Sequence, residues 1–152
     1  MQSLTLSYHF ISRIENLDAL TRLKELDLSE NRIQRLENLH RLSLLESLNL
    51  SGNAIKDLPK SCLEPLKCLK TLKLAKNKIS GLQELGNLSI LPNLENLYVA
   101  GNPVCESEDY KLYLVFYISS LESLDGDIVN SQIRQKATKK YAGPSPEVWV
   151  LR

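Results

Sequence analysis

Few residues of this chain could carry out covalent or acid–base chemistry. Its 152 residues include only two histidines, His9 and His40, and three cysteines, Cys62, Cys68 and Cys105. Neither histidine stands in a motif with a serine or cysteine nucleophile, and the cysteines lack the paired spacing of metal ligands. Phosphate-binding glycine loops and the HExxH zinc motif are also missing from the sequence. We therefore predict no catalytic residues, no metal and no cofactor, and we do not expect an enzyme.

The composition does not indicate a nucleic-acid-binding or membrane protein either. The formal net charge is +1, and the contents of hydrophobic residues (43%) and charged residues (24%) are those of an ordinary globular domain. This balance provides no overall attraction to nucleic acid or to a membrane, and no apolar run approaches the roughly 20 residues that cross a bilayer. The amino terminus also lacks the pattern of a secretory signal. We expect a cytoplasmic protein that is not secreted.

One eight-residue phrase recurs along the chain. It reads LDLSENRI at 26–33, LNLSGNAI at 48–55, LKLAKNKI at 72–79 and LYVAGNPV at 97–104, after a degenerate copy, LTLSYHFI, at 4–11. The copies begin 22 to 25 residues apart, as leucine-rich repeats do. The sequence therefore predicts an α/β fold, a right-handed leucine-rich repeat solenoid. Its strands should form a parallel concave sheet near residues 4–6, 26–28, 48–50, 72–74 and 97–99.

Each position of the phrase has a physical role. The two leucines of L-x-L point into the solenoid, and the residue between them faces outward. The asparagine should turn inward and satisfy backbone groups at the bend, so stacked asparagines should form a ladder. His9 takes that position in the first copy, where we expect a structural histidine. The apolar residues that follow recur every three positions, as in Ile33 and Leu36, which favours 3₁₀ turns or short helices on the convex side.

The sequence divides into repeats, a cap and a tail. We assign residues 1–109 to about five repeats, 110–142 to a C-terminal helical cap, and 143–152, including Trp149, to an extended or flexible tail. Asn130 or Ser131 should cap the last helix. Met1 already lies within the first repeat, so we expect an open apolar edge there. Either another molecule shields that edge and could associate through it, or the sequence begins inside a longer protein.

The repeat and its ending resemble one subfamily of intracellular leucine-rich repeat proteins, named for a nuclear phosphatase-regulating subunit. The ending Tyr110-Lys111 followed by LESLDG at 121–126 is similar to the C-terminal cap of that subfamily. NKISGLQ at 77–83 resembles repeats of centriolin-like and other centrosomal or ciliary proteins. Tyr141 and the following P-x-P-E-V resemble the repeat region of a protein that also carries a guanylate-kinase domain. The resemblance implies protein binding and a cytoskeletal location.

The outward-facing residues of the predicted sheet form columns with graded charge. The acidic end contains Glu25 and Asp27, the middle is neutral, and Lys70 and Lys73 make the next repeat basic. Tyr98 is the aromatic residue of the central column, and aromatic side chains are favoured binding contacts. A solvated sheet surface without a ligand is the alternative interpretation. The predicted partner-binding residues are Glu25, Asp27, Ser47, Asn49, Lys70, Thr71, Lys73, Asn96, Tyr98 and Asp125.

These patterns favour a non-catalytic scaffold or adaptor that binds protein partners in a centrosomal or ciliary assembly. We expect it to be a monomer. A regulatory subunit that docks on an enzyme such as a protein phosphatase is the alternative. We do not expect nucleic-acid binding, because the lysines from Lys67 to Lys78 do not form one stripe and lack interleaved aromatic residues. No membrane partner is expected either.

Overall fold

The computed structural model describes residues 1–142, so the predicted tail and Trp149 lie outside the described residues. Each copy of the repeat phrase contributes one short strand, and the strands pair in chain order. β1 to β6 are parallel, and β7 runs antiparallel to β6. The strands are β1 (Ser3–Thr5), β2 (Glu25–Asp27), β3 (Ser47–Asn49), β4 (Thr71–Lys73), β5 (Asn96–Tyr98), β6 (Ser123–Leu124) and β7 (Asp127–Ile128).

The five strands of the repeats begin one residue before the predicted ranges. In β2, for example, the strand covers 25–27, and the second leucine of the phrase, Leu28, lies just after it. The Leu28 N–H still donates to the Asn49 carbonyl oxygen, at 2.8 Å. The ladder therefore extends one bond past the strand, to the point where the chain turns toward the ladder asparagine. Despite this one-residue shift, both apolar positions of L-x-L are buried in the solenoid from the second copy to the fifth, whereas Leu4 and Leu6 of the first copy are partly buried.

The convex side changes from turns to short helices along the chain. In the second repeat, Leu42 N–H donates to Leu39 and Leu45 N–H donates to Leu42. These bonds span three residues, as the three-residue apolar period predicts. Later repeats contain α1 (Lys60–Leu63), α2 (Leu82–Gly86) and two 3₁₀ helices, Asn87–Ile90 and Pro103–Glu106.

The repeat asparagines form the predicted ladder. The central Asn77 is 4% exposed. Its Oδ1 accepts the Ile55 N–H at 3.0 Å, and its Nδ2 donates to the carbonyl oxygens of Leu50 (2.9 Å) and Leu74 (3.0 Å). His9 occupies the first ladder position, but its side chain is exposed and its Nδ1 lies 2.6 Å from the Ser7 carbonyl oxygen. The ladder asparagines are Asn31, Asn53, Asn77 and Asn102.

A helical cap closes the C-terminal end of the core. It contains α3 (Tyr110–Tyr117) and α4 (Ser131–Tyr141), which pack against each other. Asn130 is the N-cap of α4, because its side chain accepts the Ile133 N–H at 2.9 Å. One apolar core runs from Ile14 in the first repeat to Ala137 in α4. In the described part of the chain, no helix is long and apolar enough to cross a membrane.

Candidate protein-binding face

The concave sheet places outward-facing side chains in two straight columns. Parallel pairing puts Cα partners side by side, with neighbouring strands about 4.8 Å apart. The first column precedes the inward leucine of each strand, and the central column follows it. The first column consists of Ser3, Glu25, Ser47, Thr71, Asn96 and Ser123, and the central column of Thr5, Asp27, Asn49, Lys73 and Tyr98.

The acidic end of this face is formed by β2. Glu25 is exposed, and the Ser3 hydroxyl donates to its Oε2 at 3.5 Å. Asp27 is half-buried, and its Oδ1 accepts the Ser29 N–H at 2.9 Å. Asn49, next in the column, holds the Ser51 N–H in the same way at 3.0 Å. These short turns fix both side chains before a ligand arrives, which lowers the entropic cost of binding.

The basic and aromatic end is formed by β4 and β5. The Lys73 Nζ lies 5.4 Å from the centroid of the Tyr98 ring, within the range of a cation–π contact. Lys70 instead faces Glu46, with its Nζ 3.7 Å from the Glu46 Oε1 and both side chains partly exposed. The charge of Lys70 is therefore partly balanced, whereas Lys73 has no carboxylate within 4.0 Å in the described part of the chain.

Hydrogen bonds link the polar residues of the first column near its end. The Asn96 Nδ2 donates to the Thr71 Oγ1 at 3.3 Å, and the Ser123 hydroxyl donates to the Asn96 Oδ1 at 3.0 Å. These two hydrogen bonds connect β4, β5 and β6, and they use part of the hydrogen-bonding capacity of Thr71 and Asn96. It makes this stretch of the surface a preordered polar strip beside Tyr98.

A shallow depression of about 210 Å³ brings part of the predicted set together. Glu25, Asp27, Ser47, Asn49 and Lys73 line it, along with residues of β1. The small side chains at its centre leave room between the carboxylates and the lysine. Four predicted residues lie outside the depression: Lys70, which directly precedes β4, Thr71 on β4, and Asn96 and Tyr98 on β5.

Asp125 has a different environment from the one that the sequence suggests. The prediction put it at the next position of the central column, but its φ of +51° turns the chain away from the sheet. Its Oδ1 accepts the N–H groups of Val99 (2.7 Å) and Ala100 (3.0 Å), and its Oδ2 accepts the Tyr110 hydroxyl at 3.0 Å. Because β6 ends at Leu124, the carboxylate takes the place of the backbone acceptor that a longer strand would offer to these N–H groups. Asp125 stabilises the cap and is not a free residue of the concave face.

The Asp125 cluster also shifts the ionisation of its neighbours. Burial, followed by the hydrogen bond to Asp125, raises the pKa of the Tyr110 hydroxyl. Burial likewise raises the pKa of the Cys105 thiol, whose Sγ lies 3.1 Å from the Val99 carbonyl oxygen. Both groups therefore hold their protons in the folded state, which suits packing and hydrogen bonding rather than nucleophilic attack.

The sequence-based prediction missed Glu46, the ionic partner of Lys70. The residue that precedes each strand is charged from the second repeat onward, and backbone hydrogen bonds connect these residues across the repeats. Aligning the copies one position earlier would have revealed this third column. Its members are Lys24, Glu46, Lys70, Glu95 and Glu122.

Comparisons with known proteins agree with this architecture. A family model described as "Leucine-rich repeat" matches residues 2–149. The structure is similar to a chain of the Drosophila melanogaster SNF/U2A' complex, with a TM-score of 0.87 and 28% identity over 97% of this chain and 86% of that chain. It is also similar to internalin C2 of Listeria monocytogenes, with a TM-score of 0.67 and 27% identity over 82% of this chain and 50% of that chain.

A shorter similarity concerns a subunit of a dynein regulatory complex. Fifty residues, 33% of this chain, are 44% identical to dynein regulatory complex subunit 3 of Mus musculus. The matched segment spans only 10% of that curated relative.

Proposed function

Because the chain belongs to the leucine-rich repeat family, whose members are typically non-catalytic interaction modules, we propose that its concave face binds a partner protein. The observation that carries this proposal is the juxtaposition of Lys73 and Tyr98 beside a polar depression. A tyrosine ring contributes contact area at a small entropic cost, and the adjacent ammonium group has no carboxylate partner among residues 1–142.

The charge pattern specifies the chemistry of this partner. Asp27 and Lys73 belong to strands two steps apart, which corresponds to about 10 Å across the sheet. A complementary segment presents a cationic group to Glu25 and Asp27. About 10 Å further along, it presents a carboxylate to Lys73 and an apolar or hydrogen-bonding group to Tyr98.

We place this binding function in a cytoskeletal assembly of the cilium. Support comes from the 50-residue similarity to dynein regulatory complex subunit 3 and from the resemblance of the repeats to centrosomal and ciliary scaffolds. The protein acts there as a monomeric adaptor, a state that light scattering after size exclusion measures directly.

A regulatory subunit of an enzyme such as a protein phosphatase is the second candidate function. It is favoured by the combination of Glu25, Asp27 and Tyr98 on one face, since acidic and aromatic residues together suit a docking site for a basic enzyme surface. This function uses the same face, and the two candidates differ in the partner.

The test compares capture by the wild-type chain, by Lys73→Glu/Tyr98→Ala, and by the control Lys60→Glu/Tyr8→Ala. The control makes the same chemical changes at exposed positions off the concave sheet. Proteins captured from ciliated cells are identified, and binding is then measured with the purified partner. We expect the concave variant to weaken binding at least tenfold and the control to leave it unchanged, with equal melting temperatures.

The identity of the captured protein separates the candidate functions. Dynein regulatory complex subunits lost specifically from the concave variant support the ciliary adaptor, and a phosphatase catalytic subunit lost in the same way supports the regulatory subunit. The concave site is refuted if both double variants lose partner binding equally, or if neither variant loses it.

A further inference from the structure

A second surface lies along the ladder asparagines, outside the concave sheet. Three depressions follow one another there and share lining residues. The first, of about 320 Å³, shares Gln34 and Arg35 with the second, of about 430 Å³. The second shares Lys78 with the third, of about 380 Å³, which ends at Glu106. We call this row of three adjoining depressions, from Ser12 to Glu106, the ladder-edge groove.

The centre of the groove exists because one residue of a column is small. The residues directly after the ladder positions are aligned by backbone hydrogen bonds: Arg32 N–H donates to Ile11, and Ala54 N–H to Ile33, both at 2.8 Å. The Arg32 guanidinium packs over the Phe10 ring, 4.6 Å from its centroid. Ala54 therefore leaves an opening between Arg32 and Lys78, the next residue in this column.

Cations surround this opening. Arg35, Lys56 and Lys78 line the central depression, and all three are exposed. None of them has a carboxylate within 4.0 Å among residues 1–142, and Asp57 is the acidic residue of the lining. At the first end of the groove, Arg13 is paired with Glu37 at 3.3 Å. The excess of positive charge is therefore confined to the middle.

The dimensions fit a short extended peptide. The groove crosses from the first repeat to the fifth, four steps of about 4.8 Å, which gives a length of about 19 Å. An extended chain advances about 3.3 Å per residue, so about six residues fill it. Guanidinium and ammonium groups bind carboxylates through charge-assisted hydrogen bonds, and Arg35 can do so through two parallel bonds.

We propose that the ladder-edge groove binds an extended acidic segment of a partner protein, whose carboxylates contact Arg35, Lys56 and Lys78. A single-stranded nucleic acid is also negatively charged and is the alternative ligand for these cations. The groove, however, offers no stacking surface, because no aromatic residue lines its three depressions and the face of the Phe10 ring is occupied by Arg32. This site is independent of the concave face and can be occupied at the same time.

Fluorescence anisotropy with a fluorescein-labelled hexaglutamate peptide at low salt tests the proposal on the full chain. The charge-reversal variant is Arg35→Glu/Lys56→Glu/Lys78→Glu. We expect it to bind at least about tenfold more weakly, since three attractions become repulsions. The matched control Lys60→Glu/Lys67→Glu/Lys136→Glu has the same net charge with changes elsewhere, and we expect a weakening of less than about threefold from the long-range field alone. Hexaglutamine should not bind.

Amide chemical shifts give the location separately from the affinity. Hexaglutamate should shift the amides of Arg35, Ala54 and Lys78 and leave those of β2 to β5 unchanged. The proposal is overturned if the two triple variants weaken binding equally, or if the shifts fall on the concave sheet. It is also overturned if a hexauridylate oligonucleotide binds more tightly than hexaglutamate through the same three residues. Circular dichroism confirms that each variant is folded, so a loss of binding reports on the groove.

Discussion

Asn77→Ala tests the physical basis of the solenoid most severely. The amide of this side chain is the hydrogen-bond partner of three buried backbone groups, the Ile55 N–H and the carbonyl oxygens of Leu50 and Leu74, and its Nδ2 also donates to the Ala75 carbonyl oxygen at 3.3 Å. Asn77 is 4% exposed, so water reaches these groups poorly once the amide is removed. Alanine also leaves a small void between two repeats.

The expected cost follows from these three groups. A buried donor or acceptor that loses its partner costs about 1 to 3 kcal/mol, and partial relaxation of the coil recovers some of it. We expect Asn77→Ala to lower the free energy of unfolding by about 3 kcal/mol, a large part of the roughly 5 to 15 kcal/mol of a typical domain. Asn31→Ala is the matched control, because Asn31 makes equivalent bonds but is half-buried at the first repeats. There water can replace the amide, and we expect a loss of about 1 kcal/mol.

Urea unfolding followed by circular dichroism measures both variants. A lower midpoint with an unchanged slope reports a change in stability rather than in the cooperativity of unfolding. A cost below about 1 kcal/mol for Asn77→Ala would refute the role assigned to the ladder. Equal costs at both positions would show that burial does not determine the effect.

Three further predictions concern the cap and its contact with α2. Tyr110→Phe removes the hydroxyl that donates to the Asp125 Oδ2, and we expect it to lower the free energy of unfolding in urea by about 1 kcal/mol. Asp125→Ala should lower it by more, because this substitution also leaves the N–H groups of Val99 and Ala100 without their acceptor. The raised pKa of Tyr110 means that the unfolded chain ionises first as the pH rises above the ordinary value of 10.0. This contribution to stability is therefore complete below pH 10 and falls above it, and the fall should be smaller in Tyr110→Phe when unfolding is measured at pH 9 and pH 11. Gly86→Ala should cost about 1 kcal/mol in melting experiments, because the added Cβ would lie 2.6 Å from the Tyr113 hydroxyl, whereas Gly81→Ala, with nothing within 4 Å, should cost nothing. Equal effects of the two glycine substitutions would exclude the steric explanation.

The repeated part of the molecule was predictable because every copy solves the same physical problem. A three-residue strand, an inward asparagine and an apolar period of three recur, so an error in one copy is corrected by the others. The strands lie one residue before the positions near which they were predicted, since each strand ends where the chain turns toward the asparagine rather than at the second leucine. Those bounds depend on hydrogen bonds between repeats, which a single copy does not reveal.

Asp125 was misplaced because the pattern LESLDG continues the repeat while the structure leaves it. Asp125 and Gly126 both have positive φ, which reverses the chain into β7. An Asp-Gly pair is a typical signature of such a tight hairpin turn, and it could have indicated the reversal. The carboxylate then bonds back to Val99 and Ala100 because β6 ends at Leu124, so the short strand supplies no backbone partner for these two N–H groups. Only the assembled sheet shows this relation.

The two proposed binding surfaces differ in how far the sequence alone could predict them. The concave columns follow from the L-x-L alternation, so their residues could be named in advance. The ladder-edge groove depends on Ala54 being small beside Arg35 and Lys78, and on Arg32 turning toward Phe10. These are packing relations between copies, and the periodicity of the leucines carries no information about them.

Site-specific crosslinking to the purified partner tests the concave face most directly. A photoreactive phenylalanine analogue replaces Tyr98 in one variant and the exposed convex residue Ser89 in another. If the concave face binds the partner, the crosslink forms from position 98 and not from position 89, and an excess of unlabelled wild-type chain removes it. A crosslink from position 89 alone, in variants that bind the partner as tightly as the wild-type chain, would contradict the concave site.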